Sequence, residues 1–304
     1  MKYGQVSHLD KPVSRIVFGV IPLGGKSDEE AFALLDAYRE AGGNIIDNSY
    51  HYGSGFGELM GRYYESRGAD ALLRFDKGNH HHYPTMRLTR EAMDEEIRGN
   101  LERQKVGWSD FYVMHRDDEN VPVGDVMQWL NEHKDAGRIK VFGGSNWSSK
   151  RIQAGNEYAE ANGLQGFSCS SPNLSLALAN EPMWTEALSI SGNAEEREWY
   201  VRTGFPLFAW SGGGGGFYAR VESNDVKRVY HNPANFARLE RADKMAYEKG
   251  VSTPQIALAW TLNQPGSVFA LVGPANLQQL KECVDAVEIK LTPEELRWLE
   301  TGEE

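Results

Sequence analysis

Asp47, Tyr52, Lys77 and His115 follow one another along the chain as a set that can deliver a proton to a carbonyl oxygen. A free phenol loses its proton near pH ~10, too high for easy exchange at neutral pH. An ammonium beside it favours the phenolate, and a carboxylate holds that ammonium in place. An imidazole close by can donate a hydrogen bond and orient the carbonyl. The set predicts that Lys77, fixed by Asp47, lowers the pKa of Tyr52. It suits protonation of an oxygen while a hydride arrives at the neighbouring carbon.

These residues mark the ends of short apolar runs: Asp47 closes "NIID" (44–47), Lys77 follows "ALLRF" (71–75) and His115 closes "FYVMH" (111–115). Five similar runs lie at 16–20, 140–145, 166–170, 206–210 and 267–273. Between them, helical periodicity runs over Asp28–Glu40, Thr89–Lys105, Val123–Asp135, Ser149–Asn162 and Phe236–Lys249. Ser27 is placed to cap the first helix and "EAGG" to end it. Eight strands alternating with helices imply a parallel sheet closed into a (β/α)8 barrel, in which residues at the C-terminal strand ends face the active-site mouth. One polar strand end means little; three in succession, with Tyr52 in the loop after the first, match such a mouth. An open doubly wound sheet would need a glycine fingerprint after its first strand, and "GVIPLGGKSDEE" has neither the spacing nor the acidic partner. Residues 174–204 and 211–234 break the alternation and read as loops or extra elements near the mouth. Residues 1–304 read as a single domain.

Composition narrows the partners. With 40% hydrophobic and 25% charged residues, the 304-residue chain can bury a large core. A net charge of −11 argues against a nucleic-acid surface or a basic membrane face. Two cysteines, Cys169 and Cys283, do not make a disulfide framework. With no signal-like leader and no apolar span, a cytoplasmic location is expected. The anticipated partner is a small molecule, and the sequence does not give the oligomeric state.

Three other motifs compete for attention. "LGGKS" (23–27) lacks the glycine a phosphate loop needs six positions before Lys26, where Val20 stands. "HHH" (80–82) suggests a metal, but neighbours on an extended chain point in alternate directions, and His51, His115, His133 and His231 are scattered. No metal site is expected. "WSGGGGGFY" (210–218) gives a backbone that could approach a pyrophosphate closely, or simply a mobile loop.

The ordered motifs resemble the aldo-keto reductase superfamily over most of the chain. "GGNIIDNSYHYGSGFGELMGR" (42–62), "RFDKG" (74–78), "DFYVMHRDD" (110–118) and "GRIKVFGGSNWS" (137–148) are similar to its segments carrying the catalytic aspartate, tyrosine, lysine, histidine and a serine-asparagine pair. The resemblance implies a barrel that binds extended NADP or NAD. Tyr52 would be the general acid, tuned by Lys77 and Asp47, with His115 orienting the substrate. Ser145 and Asn146 would hold the carboxamide, with Cys169 where a glutamine is common, and Trp210 would stack on the nicotinamide. Gly19, Ser211, Gly212, Gly213 and Phe217 would flank the cofactor, with Gly273, Asn276, Gln279 and Glu282 at its adenosine end. Gln279 stands where an arginine often meets a 2′-phosphate, so both NADP and NAD remain open. Ile21, His51, His80, His81, Tyr83, Arg116, Asp117 and Trp147 are the candidate substrate wall, a polar and aromatic mixture suited to a hydroxylated, sugar-derived carbonyl. A nicotinamide-binding sensor with weak catalysis is the alternative on the same fold.

Overall fold

The computed structural model describes residues 1–303. An antiparallel pair, β1 (Tyr3–Gly4) and β2 (Val13–Ser14), precedes the barrel. Eight parallel strands follow: β3 (Ile16–Gly19), β4 (Ile45–Ser49), β5 (Leu73–Gly78), β6 (Ser109–Met114), β7 (Ile139–Ser145), β8 (Cys169–Ser171), β9 (Leu207–Ala209) and β10 (Val268–Val272). They pair in sequence order, and β10 closes on β3. The predicted (β/α)8 barrel is therefore the fold, and every apolar run read as a strand became one.

Eleven α-helices surround the strands among the described residues: α1 (Asp28–Glu40), α2 (Ser54–Arg67), α3 (Arg90–Gln104), α4 (Val123–Asp135), α5 (Ser149–Ala161), α6 (Ala194–Thr203), α7 (Asn224–Tyr230), α8 (Pro233–Lys249), α9 (Thr253–Leu262), α10 (Leu277–Ala286) and α11 (Pro293–Thr301). α1 illustrates why. Ser27 and Glu30 form a reciprocal capping box, three acids occupy the first turn, and Arg39 sits in the last. Its buried residues Ala31, Leu34, Leu35 and Tyr38 recur at the helical period and face the barrel.

Some elements had little sequence signal. α2 carries Gly57 and Gly61, which weaken a helix yet allow close packing against α3: a Cβ at Gly61 would lie 2.5 Å from the Arg103 carbonyl oxygen. α9, "TPQIALAWTL", is buried nearly all round, so it lacks a polar face. α6 and α7 lie within segments read as irregular. The barrel interior is aromatic, with Phe208 stacked on Phe269 at 4.4 Å and on Phe75 at 4.8 Å. Val6, Leu9 and Val13 of the N-terminal hairpin join that buried cluster, closing the barrel end away from the catalytic set.

Candidate active site

Strand register assembles the candidate catalytic set. β4 and β5 pair Asp47 with Phe75 and Ser49 with Lys77. This places the Lys77 ammonium 2.6 Å from Asp47 Oδ1, with both side chains buried. His115 directly follows β6, and its amide donates to the Gly78 carbonyl at 2.6 Å. Its Nδ1 lies 3.2 Å from Ser49 Oγ, and the Tyr52 ring centroid is 5.8 Å from its own. When the Ser49 hydroxyl donates to Nδ1, the neutral ring carries its proton on Nε2 and can donate outward. Tyr52 ends a short 3₁₀ turn, Tyr50–Tyr52, that Ser49 starts by accepting from the His51 amide.

The electrostatics differ from the expectation in one respect. Burial raises the Asp47 carboxyl, and Lys77 opposes that rise. Tyr52 is pushed well above its usual value by burial and then by Asp47, while Arg116 pulls the other way. The predicted lowering is outweighed, because burial of the neutral phenol and the Asp47 carboxylate together exceed the opposing pull of Arg116. His115 is held well below its usual value by burial, then by Lys77 and Arg116. A neutral phenol and a neutral imidazole result, two hydrogen-bond donors at one mouth.

The histidine loop is braced from below. The carboxylate of Glu96 accepts from the Asn79 amide and, at 2.7 Å, from Arg87 Nε, while the Tyr112 hydroxyl donates to Asn79 Oδ1 at 2.9 Å. Gly78 permits this, since a Cβ there would lie 2.1 Å from the Tyr112 hydroxyl. His80 stacks on His51 at 3.8 Å and meets the His115 ring edge-on at 4.8 Å. Burial and Arg116 lower His80 to about 4. The unfolded chain therefore takes up this proton first as pH falls from ~6.5 toward 4, which disfavours the folded state across that window. Thermal unfolding followed by circular dichroism should show a smaller loss of Tm between those pH values in His80→Asn than in the parent.

A cavity of about 660 Å³ runs from Tyr52, Asp47, Lys77 and His115 past Trp210 and the glycine loop to Gly273, Gln279, Glu282 and Cys283. Its residues fit an extended dinucleotide. Trp210 offers an indole, Gly213, Gly215 and Gly216 line the middle, and α10 begins at the far end. Gly214, Gly215 and Gly216 all have positive φ, which explains glycine there, and a Cβ on Gly213 would meet nothing within 4 Å. Among the described residues, the only charged side chain lining the far end is Glu282; the cavity's cations, Lys77 and Arg116, are at the Tyr52 end.

Other predicted site residues are distributed as follows. Gly19, Ile21, Ser145, Asn146, Ser211 and Arg116 line the cavity. Asn146 already uses its side chain fully: Nδ2 donates to the His115 carbonyl and to Ser145 Oγ, and Oδ1 accepts from Trp210 Nε1 and the Leu188 amide. Ser145 Oγ donates to the Ser171 carbonyl. A carboxamide can bond there only by exchanging these partners. His51 and Tyr83 are exposed at the rim. Asn276 caps α10 by accepting from the Gln279 amide.

Six expectations need correction. Trp147 is fully buried against Phe167, because the left-handed backbone of Asn146 turns the next residue inward. Cys169 is fully buried inside the barrel, and Gly212 and Phe217 are buried behind the glycine loop. His81 is buried too, accepting from the Arg87 amide and bonding the Asp117 carbonyl, so it braces the loop rather than lining the cavity. Asp117 is directed to Arg151, 3.2 Å away, and burial raises it to about 6 despite that partner. Trp184, Pro254, Gln255 and Leu258 line the cavity without having been anticipated. Among the described residues, no three His, Cys, Asp or Glu side chains are placed to hold a metal, and no helix is long and apolar enough to cross a membrane.

The sequence pattern of the Aldo/keto reductase family matches residues 15–301, and the chain belongs to that family of oxidoreductases. It is 25% identical to a versiconal hemiacetal acetate reductase of Aspergillus parasiticus, over 99% of this chain and 96% of that protein. A probable voltage-gated potassium channel subunit beta of Oryza sativa subsp. japonica is 27% identical, over 97% of this chain and 94% of its own. In fold it matches a glycerol dehydrogenase from Gluconobacter oxydans with a TM-score of 0.77 at 20% identity, covering 98% and 93% of the two chains.

Proposed function

We propose that the chain reduces a small polar aldehyde or ketone, or oxidises the corresponding alcohol, using NAD(H) or NADP(H), with Tyr52 as the general acid or base. The carrying observation is the buried Asp47–Lys77 pair beside Tyr52 and His115, in a cavity that also reaches Trp210, the glycine loop and the start of α10. A dihydronicotinamide bound along the glycine loop would supply the hydride. Tyr52 gives the carbonyl oxygen its proton, and Lys77 stabilises the phenolate left behind. Asp47 keeps that ammonium in place, and His115 donates a second hydrogen bond that fixes the carbonyl's orientation. Trp210 and Trp184, whose rings are 5.4 Å apart, screen the reacting groups from water. Histidines at the rim and Arg116 support polar substrates, sugar-derived carbonyls among them; equal turnover of apolar and sugar aldehydes would count against that.

Gln279 and Glu282 at the far end favour a ribose diol over a 2′-phosphate, which would bring roughly two negative charges against a carboxylate. Fluorescence titration should give a lower Kd for NADH than for NADPH, and Glu282→Arg should shift the ratio toward NADPH by about tenfold or more, the worth of one charge-assisted contact. A carbonyl panel with the preferred cofactor then tests turnover. The resemblance to a channel beta subunit favours one second reading, a nicotinamide-binding sensor on this barrel. Tight cofactor binding without turnover across the panel would select it.

A further inference from the structure

Among the described residues, Arg116 is the one cationic group of the cavity's Tyr52 end that no carboxylate meets within 4.0 Å. Its side chain is only 3% exposed, yet it reaches the cavity wall beside Tyr52 and His115. Two backbone carbonyls hold it: Nε donates to Thr185 at 3.1 Å and Nη1 to His115 at 2.8 Å. A guanidinium carries five N–H donors, and Nη2 donates to no protein group among the described residues. No carboxylate there comes within 4.0 Å of it. Asp117, next in sequence, is engaged by Arg151. Glu186 is the acid whose charge reaches it, but its carboxylate lies 3.8 Å from His81 and is substantially solvated. Lys77 is already matched by Asp47. Burying a cation without a partner is costly, and natural sites usually supply one.

We propose that the missing counter-charge comes with the substrate, so that the preferred carbonyl compounds carry a carboxylate which Arg116 Nη2 binds. The inference rests on the reductase reading for its reaction but not for its binding. Arg116 adjoins the groups that meet the carbonyl, whereas the glycine loop and α10 lie along the remainder of the cavity. A short oxo acid would therefore place its carbonyl at Tyr52 and His115 with its acid on the guanidinium. Both Tyr52 and His115 are neutral at pH 7, so neither competes for that anion.

The test compares 4-oxobutanoate with its methyl ester, two aldehydes of the same chain length, using the purified protein and its preferred cofactor. The acid should show the higher kcat/KM by about tenfold to a hundredfold, the range of a charge-assisted hydrogen bond, with the difference residing in KM. Arg116→Gln should bring the ratio of the two toward one, and Arg116→Lys should retain part of it. A purely structural Arg116 would lower both rates together and leave the ratio unchanged. Turnover of the ester equal to or faster than that of the acid by the unsubstituted protein overturns the inference while leaving the reductase reading intact.

If neither aldehyde is turned over, the reductase reading fails for these compounds, and binding still decides the inference. Quenching of tryptophan fluorescence should report tighter binding of succinate than of its dimethyl ester. Equal binding of the two refutes a carboxylate site. Because the unsubstituted protein answers both comparisons, a misfolded Arg116 variant does not remove the test.

Discussion

Tyr52→Phe should lower kcat by about 10²- to 10⁴-fold, the usual contribution of a positioned general acid, while the Kd for the nicotinamide cofactor stays within about twofold. The substitution removes one oxygen and keeps the ring, so its packing with Phe56 and its edge-on contact with His115 persist. KM should change little, since the lost interaction belongs to the transition state more than to the bound substrate. Steady-state kinetics alongside fluorescence titration separate the two effects. Undiminished turnover in Tyr52→Phe would move the acid elsewhere, and His115 would be the next group to examine.

Lys77→Met should be the most damaging single change to the folded state. It leaves Asp47 buried with no cation, and breaking one side of such a pair costs about 3–5 kcal/mol. Asp47 already sits above its usual value because of burial, and losing Lys77 takes away the main influence holding it down. A carboxyl raised in the folded state favours folding at low pH, since the native form keeps a proton that the unfolded chain has released. The penalty should therefore be larger at pH 8 than at pH 5, as read by urea unfolding. Lys77→Met/Asp47→Asn should regain most of the stability without regaining turnover. A single variant as stable as the parent at pH 8 would mean that water solvates Asp47.

Legibility in the sequence followed the physics of each element. The eight strands were readable because each is a short apolar run bounded by polar residues, and α1 because cap, first-turn acids and periodic apolar face all agreed. The clustering of Asp47, Lys77 and His115 was legible from strand ends, with Tyr52 in the loop after the first of them, since parallel strand register brings C-terminal residues to one mouth. α9 was not legible, because a helix buried on every side has no periodic contrast; with it went Pro254, Gln255 and Leu258 of the cavity wall. Trp184 comes from a loop whose course depends on distant partners, such as the Asn146 side chain that accepts from the Leu188 amide. Trp147 and His81 were counted in the substrate wall from their place after strand ends, but direction depends on local backbone: Asn146 has φ +63° and turns Trp147 inward. The direction in which Tyr52 is tuned was not legible because burial, its largest cause, depends on packing that the sequence does not display.

The stacked phenylalanines of the barrel interior also determine how far the ion pair above them is felt. Lys77 Nζ lies 5.5 Å from the centre of the Phe75 ring, which in turn stacks on Phe208. Such a hydrocarbon layer holds few dipoles that can reorient, so it screens a charge weakly compared with water. Water can approach the pair only from the cavity side, and it is displaced when a ligand fills that space. The pair's field is then at its strongest when cofactor and carbonyl are both seated, and the floor of the barrel acts as an insulator that ties electrostatic strength to occupancy.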